Sequence, residues 1–232
     1  MRYYDYSFKQ LEDKATELLI EFDEDRLHRI KPIDVYAVIE KCLGVDYDWK
    51  YLTPDGSVLG ATAFSDGYFY AWPESTYREG MRPYKVAVKK GTIMIDSALT
   101  EGDNRGRENF TVMHEVFHQI LHKNCFCDEG SNFMHQTYSR IIDGNIICEN
   151  YALKVIERQA NVSAANFLMP TELTIKEYKD RYYSAGFERL NYGFMWDLIR
   201  EMAKDFSVSK QAMSYRLRNL GLIDENEENL LK

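Results

Sequence analysis

Cysteine is scarce in this chain: four in 232 residues, at Cys42, Cys125, Cys127 and Cys148. The first residues, MRYYDYSFKQLEDK, are charged and lack the apolar core of a signal peptide. Four thiols in such a chain read as reduced side chains of a cytoplasmic protein, not as a disulfide framework. Cys125 and Cys127 are separated by a single residue, which is not the C-x-x-C spacing of a zinc knuckle or a redox pair. No run of about eighteen apolar residues occurs, which excludes a membrane-spanning helix from the expected architecture. Positive charge is also in deficit. Lys and Arg number 29 against 37 Asp and Glu, a formal charge of −8, which is the wrong balance for a protein that lives by gripping phosphates. Internal repeats and low-complexity tracts are absent.

What remains is a globular composition, 45% hydrophobic and 14% aromatic, in a chain long enough for one substantial core or a core with a small appended domain. Apolar residues at helical spacing predict a helix over 6–22 and another over 31–45, opened by Pro32 and stopped by Gly44. Strand-like runs follow at 45–52, 58–72 and 91–99, with a turn at Asp66-Gly67, and together they predict a small, mostly antiparallel sheet. A polar loop, TEGDNRGREN, leads into a helix from Glu108 to His122. The stretch 123–150 reads as irregular, with a hairpin around Asp143-Gly144. A strong helix over 150–169 ends at Pro170. Beyond it, helices are predicted over 192–206 and 209–221, then an acidic, frayed tail. The fold class is α+β: a zincin-like core of helices with a small sheet in 1–170, and a helical extension resembling a helix-turn-helix in 171–232.

The chemistry concentrates in MHEVFHQILHKN, residues 113–124, which holds three of the five histidines. At about 100° per residue, Thr111, His114, Glu115, His118, Gln119 and His122 share one arc of a helix. Phe110, Val112, Met113, Val116, Phe117, Ile120 and Leu121 cover the opposite arc. The polar arc fits a solvated helix face, but such faces are built from Lys, Glu, Arg and Gln, and this one contains no Lys or Arg. Histidines at i and i+4 bring two ring nitrogens together on adjacent turns, where both reach one ion at about 2.0–2.1 Å. The pattern H-E-x-x-H therefore makes His114 and His118 candidate zinc ligands. A catalytic site needs a third protein ligand and an open position. His122 lies one turn on, but three consecutive turns of a straight helix point along a line, which places it outside the metal's ligand set. Glu157, beside Ala160, Asn161 and Ala164 on the next helix, fits two descriptions. It is a third ligand brought across a close helix–helix contact, with Asn161 hydrogen-bonded behind it, or it is a surface glutamate.

The paired motifs, NFTVMHEVFH followed by LH and then E-x-x-A-N-x-x-A-A-x-F-L-M-P, resemble the ImmA/IrrE family of zinc metallopeptidases. The likeness extends to PIDVYAVIEKCLGV upstream and FSVSKQAMSYRLRNLGLI downstream, most of residues 32–223. The resemblance implies one zinc ion per chain held by His114, His118 and Glu157, with Glu115 as catalytic base. Asn161 and His122 then belong to the surroundings of the ligands. Phe117 and Ser163 depart from the family's usual small residue and phenylalanine, at positions that are not ligands. The resemblance further implies an endopeptidase acting on a protein partner, a helix-turn-helix repressor of a phage or mobile element, so that the protein serves as an antirepressor in transcription regulation. GTIMIDSAL is the expected edge strand for binding an extended substrate; no tyrosine is singled out to assist the developing oxyanion. Two other classes of function fit parts of the sequence. A DNA-binding regulator would use Lys210, Arg216 and Arg218, and a toxin–antitoxin component would keep a purely structural zinc. No membrane partner is expected.

Overall fold

The computed structural model describes residues 3–125, 151–186 and 193–223. Seven helices accompany two small sheets among these residues. Helix α1 (Phe8–Asp23) opens on a capping box: the Ser7 hydroxyl accepts from the Gln10 amide, and the Gln10 side chain accepts from the Ser7 amide. Its apolar stripe, Leu11, Ala15, Leu18 and Leu19, is buried. Helix α2 (Val35–Val38) begins later than Pro32 because Asp34 supplies the cap, accepting from the Tyr36 and Ala37 amides. It continues into a π-helical turn, Ile39–Leu43, and ends at Gly44, whose φ of 63° closes the turn.

Strands β1 (Tyr47–Lys50), β2 (Gly60–Thr62) and β5 (Ile93–Asp96) form one sheet in the order β1-β5-β2. β5 pairs parallel with β1 and antiparallel with β2. Strands β3 (Gly67–Ala71) and β4 (Tyr84–Val88) form a separate antiparallel pair. The Asp66-Gly67 turn therefore carries the chain from one sheet to the other and does not close a hairpin. The predicted edge strand, GTIMIDSAL, is corrected here: β5 is the central strand, buried along its whole length. Ile93 and Ile95 enter the main core, and Met94 faces a smaller cluster with Ala61, Ala63 and Phe69. The edges of the sheet are β1 and β2, and β2 is the one that lies against α3.

Helix α3 (Arg105–His122) crosses under this sheet, and α1 and α3 both pack along α4 (Tyr151–Leu168). Pro170 stops α4 and caps α5 (Thr171–Ser184), a helix that the weak apolar periodicity of TELTIKEYKDRYYS did not announce. Helices α6 (Phe194–Asp205) and α7 (Lys210–Asn219) follow, joined by a tight turn in which Ser207 adopts φ of 54°. Ile199, Met202, Met213 and Leu217 join the same hydrophobic cluster as Val112, Met113, Phe167 and Leu168, so the segment beyond Pro170 shares one core with the segment before it. That turn lies against the first turn of α3. A β-carbon on Gly106 would stand 2.4 Å from the Val208 carbonyl carbon, so only glycine permits the approach. The Asn109 side chain donates to the Ser207 carbonyl, fixing the same contact. The predicted hairpin at Asp143-Gly144, Cys127, Cys148 and the acidic tail lie outside the described residues.

Candidate metal centre

The polar arc of α3 does not face water. His114, Glu115, His118 and His122 are all 0% exposed, because α4 covers one side of the arc and β2 the other. Burying so many polar groups without loss requires that each be hydrogen-bonded, and the hydrogen bonds define the site. The His114 and His118 Nε2 atoms stand 2.9 Å apart. Glu157 reaches in from α4, with one carboxylate oxygen 3.2 Å from His114 Nε2 and the other 3.4 Å from His118 Nε2. Ligand atoms of these three residues all lie within 4.8 Å of one another. Ala160 and Ala164, both fully buried, leave the room on α4 that this close approach needs.

The remaining nitrogens are spoken for. His114 Nδ1 donates to the Asn161 side-chain oxygen at 2.9 Å. His118 Nδ1 lies 3.0 Å from His122 Nδ1, and His122 Nε2 lies 2.9 Å from the Gln159 side-chain oxygen. With protons engaged at Nδ1, both Nε2 atoms present lone pairs toward each other and toward a carboxylate. Three electron-pair donors converging in a dry pocket repel unless a cation lies between them. The donor set thus fits a divalent metal: two neutral imidazoles and one carboxylate, the composition of a site with an open fourth position. When no metal is bound, a proton meets the same demand. Burial alone would lower His114, yet the Glu157 carboxylate holds it above the usual histidine range. Burial alone would raise Glu157, yet His118 and His114 hold it well below the usual carboxylate range. His122, buried and beside His118, is pushed down to about 3 and is neutral.

Glu115 points to the other side, against β2. Thr62 Oγ1 donates to its carboxylate at 2.8 Å. Gly60 makes room for it: a β-carbon there would sit 2.7 Å from Glu115 Oε1. Burial pushes the Glu115 carboxyl above the usual carboxylate range, against the pull of His114 and His118. A cleft of about 330 Å³ opens beside the site, between Leu59 at the start of β2, Arg107 and Phe110 on α3, Asn161 on α4, and Gln211 and Tyr215 on α7. Gln159, Thr62, Gly60 and this α7 wall escaped the sequence reading. The one signal in the sequence was the glycine inside a strand-like run, which often marks a close backbone approach.

The three basic residues that a DNA-binding regulator would use are placed inward or against aromatic rings. Arg216 is buried and donates to the Met169 carbonyl, Asn166 Oδ1 and Thr171 Oγ1. Lys210 stands over Trp196, and the Arg218 guanidinium over Tyr215. Phe117 packs against Phe167 in the main core, and the Ser163 hydroxyl is buried with no hydrogen-bond partner among the described residues.

The sequence model of the IrrE N-terminal-like domain, a metallopeptidase-like family, matches residues 76–218, and the chain belongs to that family. The match covers well over half of the chain. It takes in β4, β5, all of α3 to α6 and all but the last residue of α7, and it runs across Pro170 without a break. No curated protein is detectably similar to the chain in sequence. No helix among the described residues is long and apolar enough to cross a membrane.

Proposed function

We propose that the protein is a zinc-dependent endopeptidase that hydrolyses a peptide bond in a protein partner. The observation that carries this reading is the convergence of two imidazoles and a carboxylate on one point, with a buried glutamate beside it, in a member of a peptidase family. His114, His118 and Glu157 would hold one zinc ion, which when bound supplies the Lewis acidity that polarises a carbonyl and acidifies a water molecule. Glu115 accepts a proton from the attacking water and returns it to the leaving amine nitrogen. Burial raises its affinity for protons, the direction that suits a group which must take one from water.

The substrate strand is assigned to β2. Leu59 and Ala63 turn their backbone groups toward β5, so by alternation Gly60 and Thr62 turn theirs to the free edge. An extended peptide added there passes directly over Glu115. The cleft walled by Tyr215 and Gln211 then takes one of its side chains. As to the partner, we infer a helix-turn-helix repressor, which would make the protein an antirepressor; the support for this is family resemblance. The buried position of Arg216 weighs against a DNA-binding regulator, since its guanidinium is turned inward onto three protein acceptors and away from any phosphate outside. A purely structural zinc is disfavoured because the described group offers three ligands, not four.

The test pairs metal analysis with proteolysis. Glu115→Gln keeps shape and hydrogen bonding but removes the base. It should retain one zinc per chain and lose at least ~10²–10⁴ of the cleavage rate on a repressor encoded beside the gene. Cleavage by the variant at the wild-type rate would sink the assignment.

A further inference from the structure

A chain of hydrogen bonds runs from the candidate metal ligand His118 to the N-terminal segment. Its direction is fixed at the far end, where the Tyr4 backbone carbonyl can only accept. Gln159 Nε2 donates to that carbonyl at 2.9 Å. This orients the Gln159 amide, so its oxygen is the atom that meets His122 Nε2 at 2.9 Å. A carbonyl oxygen accepts, so His122 carries its proton on Nε2. In a neutral imidazole the other nitrogen is then an acceptor, and His122 Nδ1 receives a hydrogen bond from His118 Nδ1 across 3.0 Å. His118 therefore holds its proton on Nδ1 and keeps the Nε2 lone pair free. His118, His122 and Gln159 are all 0% exposed, so no water competes for the two links among them.

We propose that His122 and Gln159 are positioning residues that fix His118 in the Nδ1-protonated tautomer, with the Tyr4 carbonyl as the anchor of the relay. The inference rests on the zinc peptidase reading of the same site. Reversing any link moves the proton of His118 to Nε2, the atom that faces His114 and Glu157, and closes that position to a metal. His114 is held in the same tautomer by a separate partner, Asn161 on α4, so the relay acts on one ligand only.

Two measurements test it. In metal-free protein, long-range proton–nitrogen correlation spectra of the histidine rings should show His118 protonated at Nδ1 and His122 at Nε2. A wild-type His118 protonated at Nε2 overturns the proposal, whatever the protein cleaves. Second, zinc affinity is measured by chelator competition. Gln159→Leu removes the acceptor for His122 and should weaken zinc about 10–100-fold, the usual cost of losing a group that orients a ligand. Gln159→Glu keeps an acceptor toward His122 while losing the donor to Tyr4, and should bind zinc far closer to wild type. Equal losses in the two variants would show that Gln159 serves only to hold the N-terminal segment, and would refute the relay. If the tautomers are as stated and wild-type protein still binds no zinc, the peptidase reading fails while the relay stands.

Discussion

Glu115 is held by contacts that leave it little freedom. Thr62 donates to its carboxylate from β2, and the absent side chain of Gly60 makes the space it occupies. Any β-carbon at position 60 would also meet Glu115 Cγ and Thr111 Cγ2, each at 2.9 Å, so the carboxylate must shift. A displacement of about 1 Å in a catalytic group costs on the order of 10²-fold in rate. Gly60→Ala is therefore expected to cut peptide cleavage by about that factor. Zinc content should be unchanged, because the His114 and His118 nitrogens lie on the side of α3 that faces α4. Parallel rate and metal measurements on the purified variant check this, and a wild-type rate would show that Glu115 has room to spare. At this scale the sequence was half legible. H-E-x-x-H marks its residues by spacing along one helix. The groups that aim them, Thr62 and Gln159, lie in segments far from the motif, and spacing carries no information about such a contact.

Along the elements, legibility depended on how many faces are buried. The opposed arcs of α3 read as an ordinary amphipathic helix, yet both arcs are inside, one against the core and the other against α4 and β2. The rare composition of the polar arc was the signal that it does not face water. The expectation of an edge strand at β5 passes over Ile93-Met94-Ile95, a continuous apolar run of the kind found in a strand buried on both faces. β4 and α5 went unread because each is half exposed and weakly patterned. A polar contact ties α2, β1 and α3 together: Trp49 Nε1 donates to the Tyr36 hydroxyl, which donates to Glu108. Burial first, and then Glu108, raise the Tyr36 phenol well above its ordinary value of 10.0. The folded state thus keeps this proton beyond the pH at which the unfolded chain releases it. The resulting stability is fully present below about pH 10 and is lost as pH rises through the folded value. Urea midpoints measured from pH 8 upward should fall more steeply for wild type than for Tyr36→Phe. Parallel curves would mean that Tyr36 ionises as freely folded as unfolded.

At the scale of the whole molecule, the candidate metal centre is a joint between α3 and α4, the two helices about which the rest of the core is assembled. Arg216 plays the corresponding part at the other end of α4, gathering the Met169 carbonyl, Asn166 and Thr171 onto α7. An ion bound only by the folded state stabilises it by mass action, by about 4 kcal/mol when free metal is a thousandfold above the dissociation constant. In a chain of this length that corresponds to roughly 8–16 °C in melting temperature. Chelation followed by dialysis should therefore lower the melting temperature by an amount in this range, and stoichiometric zinc should restore it. Glu157→Ala should melt at nearly the same temperature with and without zinc, because two imidazoles alone hold the ion weakly. Glu115→Gln should show the full wild-type increment, since its carboxylate turns toward Thr62 and Gly60 and takes no part in binding. If the Glu157 variant kept the full increment, the third ligand would lie elsewhere. If the Glu115 variant lost it, the glutamate assigned as base would instead be a ligand.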